Sequence, residues 1–286
     1  MVWNVILACA FILVLIMLWF CIYDSNRFVV VHYKIKNKKI KGKFRAVVLS
    51  DLHNKQYGKE NQLLLQAVEE CQPQAIWIAG DMPTATPGKK LDVALHFVSE
   101  LAKKYPVFYG NGNHEYRMKL YPETYGNMAE EYAKGLSEAG IQPLVNERKD
   151  IRENNLSVYG LEIDRKYYKR FKPYPMESDY LKELLGTADE DCYNVVLAHN
   201  PDYFPAYVQW GADLVLSGHV HGGMVRVPCW KGVVSPSIRL FPKYDGGKFE
   251  EGTSTMILSR GLGMHTIPVR LFNPAEIVVV ELEGEE

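Results

Sequence analysis

Five short apolar runs, each closed by residues able to ligate a metal, constrain this chain more than any other feature. Val47-Val48-Leu49-Ser50 leads into Asp51-Leu52-His53, Ile76-Trp77-Ile78-Ala79 into Gly80-Asp81, and Val107-Phe108-Tyr109 into Gly110-Asn111-Gly112-Asn113-His114-Glu115. Val195-Val196-Leu197-Ala198 leads into His199-Asn200-Pro201, and Leu214-Val215-Leu216-Ser217 into Gly218-His219-Val220-His221. Runs this short, rich in β-branched residues and ended by Gly, Asp or Asn, read as buried strands. Between the first two, Leu63, Leu64, Ala67, Val68 and Cys71 recur at helical spacing. Leu91, Ala94, Leu95, Val98, Leu101 and Ala102 do the same between the second and third, with Pro87-Gly88 before and Pro106 after. Strand, helix, strand alternation implies parallel strands with helices packed over them, and the carboxyl ends of such strands gather at one edge, where ligands bind.

Each of these residues has a plain alternative. An Asp after a strand is ordinarily a turn or a helix cap, a lone His is more often packed than ligating, and Asn111-Gly112-Asn113 reads equally as a turn. The combination changes the weighing, because five of the eight His fall at these strand ends. Asp-x-His and His-x-His also put alternate side chains on one side of an extended segment, so each pair can reach one small volume.

The motif set D-x-H, G-D, G-N-H, a separate H and G-H-x-H, in that order across residues 50–221, resembles that of the calcineurin-like metallophosphoesterase superfamily. The stretches 197–202 and 259–263, with Pro268, Arg270 and 274–282 following, look like its YkuE/YaeI-type branch of membrane-associated or exported bacterial phosphoesterases. The resemblance implies an α/β fold in which a two-sheet β-sandwich is flanked by helices, four layers in the order α/β/β/α. It also implies two divalent metal ions, with Asp51, His53 and His221 at one, Asn113, His199 and His219 at the other, and Asp81 bridging. His114 becomes the catalytic residue that stabilises or protonates the leaving oxygen. Two departures stand out: Met82-Pro83-Thr84 follow Gly80-Asp81 where a second Asp is frequent, and Glu115 follows His114 where Asp is common. Both bear on loop shape and substrate more than on metal retention. The donor chemistry agrees with the resemblance, since mixed carboxylate, amide and imidazole ligands suit Mn, Fe or Zn better than an oxygen-only Mg or Ca cage.

A second constraint is the run from Val5 to Tyr23, nineteen apolar or aromatic residues without a break. As a helix it would be about 28 Å long, close to the ~30 Å hydrocarbon core of a bilayer. A cleavable signal peptide is the main rival, but Met1–Asn4 carry no Lys or Arg and no small-residue site closes the run. Trp3, Trp19 and Tyr23 lie near its ends, where interfacial aromatics are expected. The expected organisation is therefore a transmembrane anchor over 1–23, a basic juxtamembrane strand or linker over 24–45, and a metallophosphoesterase catalytic domain over 46–286. Residues 24–45 hold eight Lys+Arg against the single acid Asp24, which favours a cytoplasmic catalytic domain in a single-pass cell-membrane protein. An extracytoplasmic placement stays open, because His32, Lys34, Lys36 and Lys38 alternate with Val31, Tyr33, Ile35 and Asn37 and read equally as the wet face of a strand. Cys71, Cys192 and Cys229 follow no metal or redox spacing and read as buried thiols.

Residues 46–286 carry 25 Lys+Arg against 33 Asp+Glu, an acidic balance that disfavours a nucleic-acid partner. No G-x-S-x-G, Walker A or Rossmann pattern occurs, which argues against serine hydrolase, NTPase and dehydrogenase chemistry. Within 164–175, Arg165, Lys166, Lys169, Arg170 and Lys172 interleave with four aromatics; a solvated connector is the favoured reading, a lid over an anionic surface the other. The C-terminal third is dense in Gly and Pro, with β-rich runs at 256–259 and 277–282 that suggest a second sheet, and Arg260, His265 and Arg270 there could line a pocket or be structural. The expected protein is a membrane-anchored dinuclear phosphohydrolase, a phosphodiesterase or pyrophosphohydrolase taking a small phosphorylated, lipid-linked or sugar-nucleotide substrate. A phosphomonoesterase or phosphoprotein phosphatase is the alternative, and a non-catalytic scaffold is disfavoured by the completeness of the ligand set.

Overall fold

The computed structural model describes residues 1–285 apart from 170–173, 228–231, 235–239 and 265–268. In chain order the elements are α1 (Val2–Ser25), β1 (Phe28–Asn37), β2 (Lys43–Leu49), α2 (Gln62–Glu70), β3 (Ala75–Ala79), α3 (Asp92–Ala102), β4 (Val107–Gly110), α4 (Asn113–Leu120), α5 (Pro122–Tyr125), α6 (Met128–Glu138) and β5 (Pro143–Leu144). There follow β6 (Glu147–Ile151), β7 (Leu156–Leu161), α7 (Tyr180–Leu185), β8 (Tyr193–Ala198), α8 (Phe204–Trp210), β9 (Leu214–Ser217), β10 (Val225–Arg226), β11 (Gly232–Val234), β12 (Gly247–Glu251), β13 (Ser254–Leu258) and β14 (Ala275–Gly284).

Two six-stranded sheets result, one in the order β1-β14-β2-β3-β4-β5 and the other β12-β13-β9-β8-β7-β6. Strands β2 to β5 run parallel in the first, and β7, β8, β9 and β13 run parallel in the second. The period-2 alternation of β2 and β3 explains the layering. Val47, Leu49, Ile76 and Ile78 pack outward against Leu64 and Val68 of α2, Phe97 and Val98 of α3, and Leu136 of α6. Their neighbours Ala46, Val48, Ala75 and Trp77 point the other way, onto Val195, Leu197, Leu214 and Leu216 of the second sheet. The far face of that sheet, with Val196, Val215 and Met256, is covered by Leu181 of α7 and by Phe204 and Tyr207 of α8. The order of layers is thus helices, sheet, sheet, helices.

Two points depart from simple expectation, and a third decides between the strand and the linker expected over the basic stretch. The strand ends that carry the motifs belong to two sheets, β2, β3 and β4 to one and β8 and β9 to the other, so the site forms where two sheet edges meet. The β-rich runs of the C-terminal third do not form the second sheet by themselves: β12 and β13 extend it, β14 returns to the first sheet between β1 and β2, and β10 and β11 pair antiparallel as a separate two-stranded sheet. Residues 28–37 of the basic stretch form the edge strand β1, paired with β14 over its full length.

Helix α1 projects from this body with its apolar side chains exposed as far as Trp19, only its last turns touching the body, and it is long and apolar enough to cross a membrane, as a signal sequence also can be.

Candidate metal centre

Every strand end delivers its donors into one dry volume. Asp51, His53, Asp81, Asn113, His199 and His221 are all buried, and His219 is partly so. Ligand-capable atoms of Asp51, His53 and His221 lie within 4.8 Å of one another, as do those of Asp81, His199 and His219, and those of His53, Asp81 and His114. His221 Nε2 is 3.5 Å from Asp51 Oδ1, and His199 Nε2 is 3.0 Å from Asp81 Oδ2 and 3.8 Å from Asp51 Oδ1.

The convergence does not come from extended backbone, as the Asp-x-His and His-x-His spacing suggests. Asp51, His53, Asp81, His219 and His221 all take positive φ, between 50° and 71°. Left-handed turns fold each loop back on its strand end, and backbone groups lock them: His219 N donates to Asp51 Oδ1 at 3.0 Å and His114 N donates to Asp81 Oδ1 at 2.7 Å. The motif glycines follow from the same crowding. A Cβ on Gly112 would land on Asp81 Oδ1, one on Gly218 on Asp51 Oδ2, and one on Gly80, itself at φ 87°, would lie 2.5 Å from the Gly112 backbone.

Ring orientation is set by carbonyls and amides behind the site. His199 Nδ1 is 2.6 Å from Ala79 O and His221 Nδ1 is 3.0 Å from Gly263 O; a carbonyl only accepts, so both rings carry a proton on Nδ1 and turn Nε2 inward. His114 is reversed. Its Nδ1 accepts from Ala85 N at 2.8 Å, which leaves the proton on Nε2, 3.9 Å from Asp81 Oδ2.

Electrostatics point to cations. Burial pushes Asp51 up to about 6 despite His199, while at Asp81 burial is outweighed by His199, His114 and His53, which hold it well below the usual carboxylate range. Burial would lower His199, but Asp81 and Asp51 raise it to about 10. Two carboxylates in a volume this dry need compensating positive charge. Asn113 Oδ1 is buried with no hydrogen-bond partner, a costly state for an amide oxygen that a metal ion would relieve. The donor set fits divalent metal.

Some contributors were not legible as such. Glu115, noted only as a departure from a motif, is buried and accepts from Asp81 N, Met82 N and Gly112 N, each at 3.0 Å, and from Tyr109 Oη at 2.7 Å. It splints the G-D loop to the G-N-H loop. Arg270 is 2% exposed and donates to the carbonyls of Arg260, Gly261, Gly263 and Asn273, so it holds the loop whose Gly263 O orients His221. These bonds give it a structural part in the site. In the basic-aromatic stretch, Tyr167 is buried against Tyr180 and Tyr203, and Tyr168 packs edge-on against His219 with centroids 5.4 Å apart. Arg170, Lys172, Cys229 and His265 lie outside the described residues.

The chain matches the calcineurin-like phosphoesterase family over residues 44–223. A metallophosphoesterase of Aquifex aeolicus is 29% identical over 258 residues, which cover 88% of this chain and 91% of the relative. The metallophosphoesterase YkuE of Bacillus subtilis is 30% identical over 106 residues, 37% of this chain and 36% of its own. The phosphodiesterase YaeI of Escherichia coli is 27% identical over 243 residues, 84% of this chain and 82% of its own.

Proposed function

This chain belongs to the calcineurin-like phosphoesterase family and is a hydrolase of phosphate esters, and from that premise we propose that it is a membrane-anchored dinuclear enzyme acting on phosphodiesters or pyrophosphates. The observation that carries the reading is the pair of ligand clusters, one around Asp51 and one around Asp81, packed into a single buried volume with an orphaned amide oxygen.

Asp51, His53 and His221 would hold one ion and Asn113, His199 and His219 the other, with Asp81 shared between them. When bound, two divalent ions of the Mn, Fe or Zn type supply polarisation of a phosphoryl oxygen, activation of the attacking water and screening of charge. The chain's own residues do the rest. Ala79 O and Gly263 O fix the tautomers of His199 and His221, so neither ring has to reorient on binding. His114, with its proton on Nε2, donates a hydrogen bond from that nitrogen to the leaving oxygen and stabilises the charge that develops there as the ester bond breaks.

Support for a diester comes from the similarity to the phosphodiesterase YaeI of Escherichia coli. The anchor reading rests on α1, and the eight Lys+Arg of residues 24–45 favour a cytoplasmic body. The full chain in detergent should bind about two divalent ions and hydrolyse bis-p-nitrophenyl phosphate faster than p-nitrophenyl phosphate; the reverse preference would establish the monoesterase alternative. Asp81→Ala should lose both metal and turnover. His114→Gln should keep its metal and lose roughly 10²- to 10⁴-fold in kcat. A metal-loaded wild type inactive on both esters would sink the reading.

A further inference from the structure

The last turn of α1 is bonded to the loops that carry the metal ligands. Asp24, the first residue after the apolar run, is 1% exposed, and its Oδ2 accepts from Asn273 N at 3.1 Å while Oδ1 accepts from Arg27 Nε at 2.8 Å. The Asn273 side-chain amide donates in turn to His221 O at 2.8 Å and to Gly223 O. On the other side, Lys55, two residues past His53, donates to Asn26 Oδ1 at 2.9 Å. Phe20 of α1 packs against Phe272, ring centroids 5.0 Å apart. Only Asn26 and Arg27 separate α1 from β1. The centre is therefore not tethered to the helix by a slack linker; its D-x-H and H-x-H loops are held at the helix end.

Large apolar side chains are exposed in the segments linked to this foot. Leu240 is 68% exposed, Phe241 56%, Val227 41% and Phe272 37%. They share one small structure, since Val225 of β10 bridges to Leu271 beside Phe272, Arg226 N donates to Leu271 O at 3.0 Å, and Phe241 N donates to Val233 O of β11 at 2.9 Å. Clustered exposure of this kind marks an interaction surface. This one is continuous with α1 through the Phe20–Phe272 contact, and a helix of 24 residues at about 1.5 Å per residue brings its end to the surface of the bilayer that it crosses.

We infer that the face formed by Val227, Leu240, Phe241 and Phe272 lies in the bilayer interface, and that the phosphoester hydrolysed is borne by an amphiphile embedded in that bilayer. The inference rests on the phosphoesterase reading above and narrows its substrate class. Lys55 and Arg27 stand at the same level, where headgroup phosphates attract cations. An amphiphile would present its phosphate at the depth of Asn26 and Asp24, beside the loops of His53 and His221, without leaving the membrane.

The test uses the metal-loaded full chain in phosphatidylcholine vesicles. Two probes share one leaving group: the p-nitrophenyl ester of dioleoyl phosphatidate in the vesicle and its water-soluble dibutyroyl counterpart. We expect the dioleoyl ester to be preferred at least tenfold in kcat/KM, and a triple variant, Leu240→Ser, Phe241→Ser and Phe272→Ser, to erase that preference while metal content and the dibutyroyl rate stay unchanged. Equal rates on the two esters, or equal losses in the variant, overturn the substrate assignment. Separately, Phe241→Trp should add emission that brominated lipid quenches; no quenching overturns the surface. Failure on every ester, bis-p-nitrophenyl phosphate included, would instead indict the phosphoesterase reading and take the substrate assignment with it.

Discussion

Asp51, His53, Asp81, His219 and His221 share a backbone conformation that side-chain-bearing residues rarely adopt, at a cost of order 1–3 kcal/mol each. Such strain persists only where surroundings over-determine it, and at Asp81 Glu115 is a large part of those surroundings. Its carboxylate is the common acceptor for Asp81 N, Met82 N and Gly112 N. Removing it strands three buried donors, each worth about 1–3 kcal/mol when unsatisfied. Glu115→Ala should therefore lower the unfolding free energy by at least about 3 kcal/mol, read from urea denaturation of the detergent-solubilised chain, with Glu115→Gln losing less because an acceptor oxygen remains. Unchanged stability in the alanine variant would mean that the loops are held by something else.

The elements show how a basic stretch can be folded rather than free. β1 pairs in parallel with β14, and β14 lies antiparallel to β2. At that junction Glu283 meets Lys34 at 2.5 Å and Lys43 at 3.1 Å, and Arg45 meets Glu281 at 2.9 Å. Hydrogen bonds from Lys34 and Lys43 pull Glu283 down from 4.5 to about 2. A carboxylate with a depressed folded pKa contributes stability that is complete above its unfolded value and disappears as pH falls toward the folded one. The difference in urea midpoint between wild type and Glu283→Gln should thus be constant above pH 4.5 and shrink between there and pH 2. The pair is solvent-exposed, so added salt should reduce the difference. A difference that does not vary with pH would rule out this ionic contribution.

At the scale of the whole molecule, α1 and the catalytic body are joined by two residues and by bonds through Asp24 and Asn26. If α1 is a retained anchor, the mature protein should have an intact mass that includes residues 1–23 and should resist extraction from membranes by alkaline carbonate. A mature mass lacking them would make the run a signal sequence. Retention also predicts that a fragment starting near Lys43 is a poor surrogate for the enzyme, because it lacks β1 and the acceptor on Asp24 that Asn273 uses.

What the sequence determined alone was local. The apolar runs that became β2, β3, β4, β8 and β9 and the helical periodicities of α2 and α3 were legible because burial on a sheet face or under a helix stripe leaves a periodic trace. The seven candidate ligands and His114 were legible because they stand at fixed short distances from those runs. Strands β6 and β7 and helices α6 to α8 leave weaker periodic traces. Tertiary structure alone decided that the motifs converge from two sheets, that β14 is inserted between β1 and β2, and that the end of α1 is bonded beside His221. Those depend on contacts between residues as far apart as Asp24 and Asn273, and a pairing of that range has no period along the chain by which to be seen.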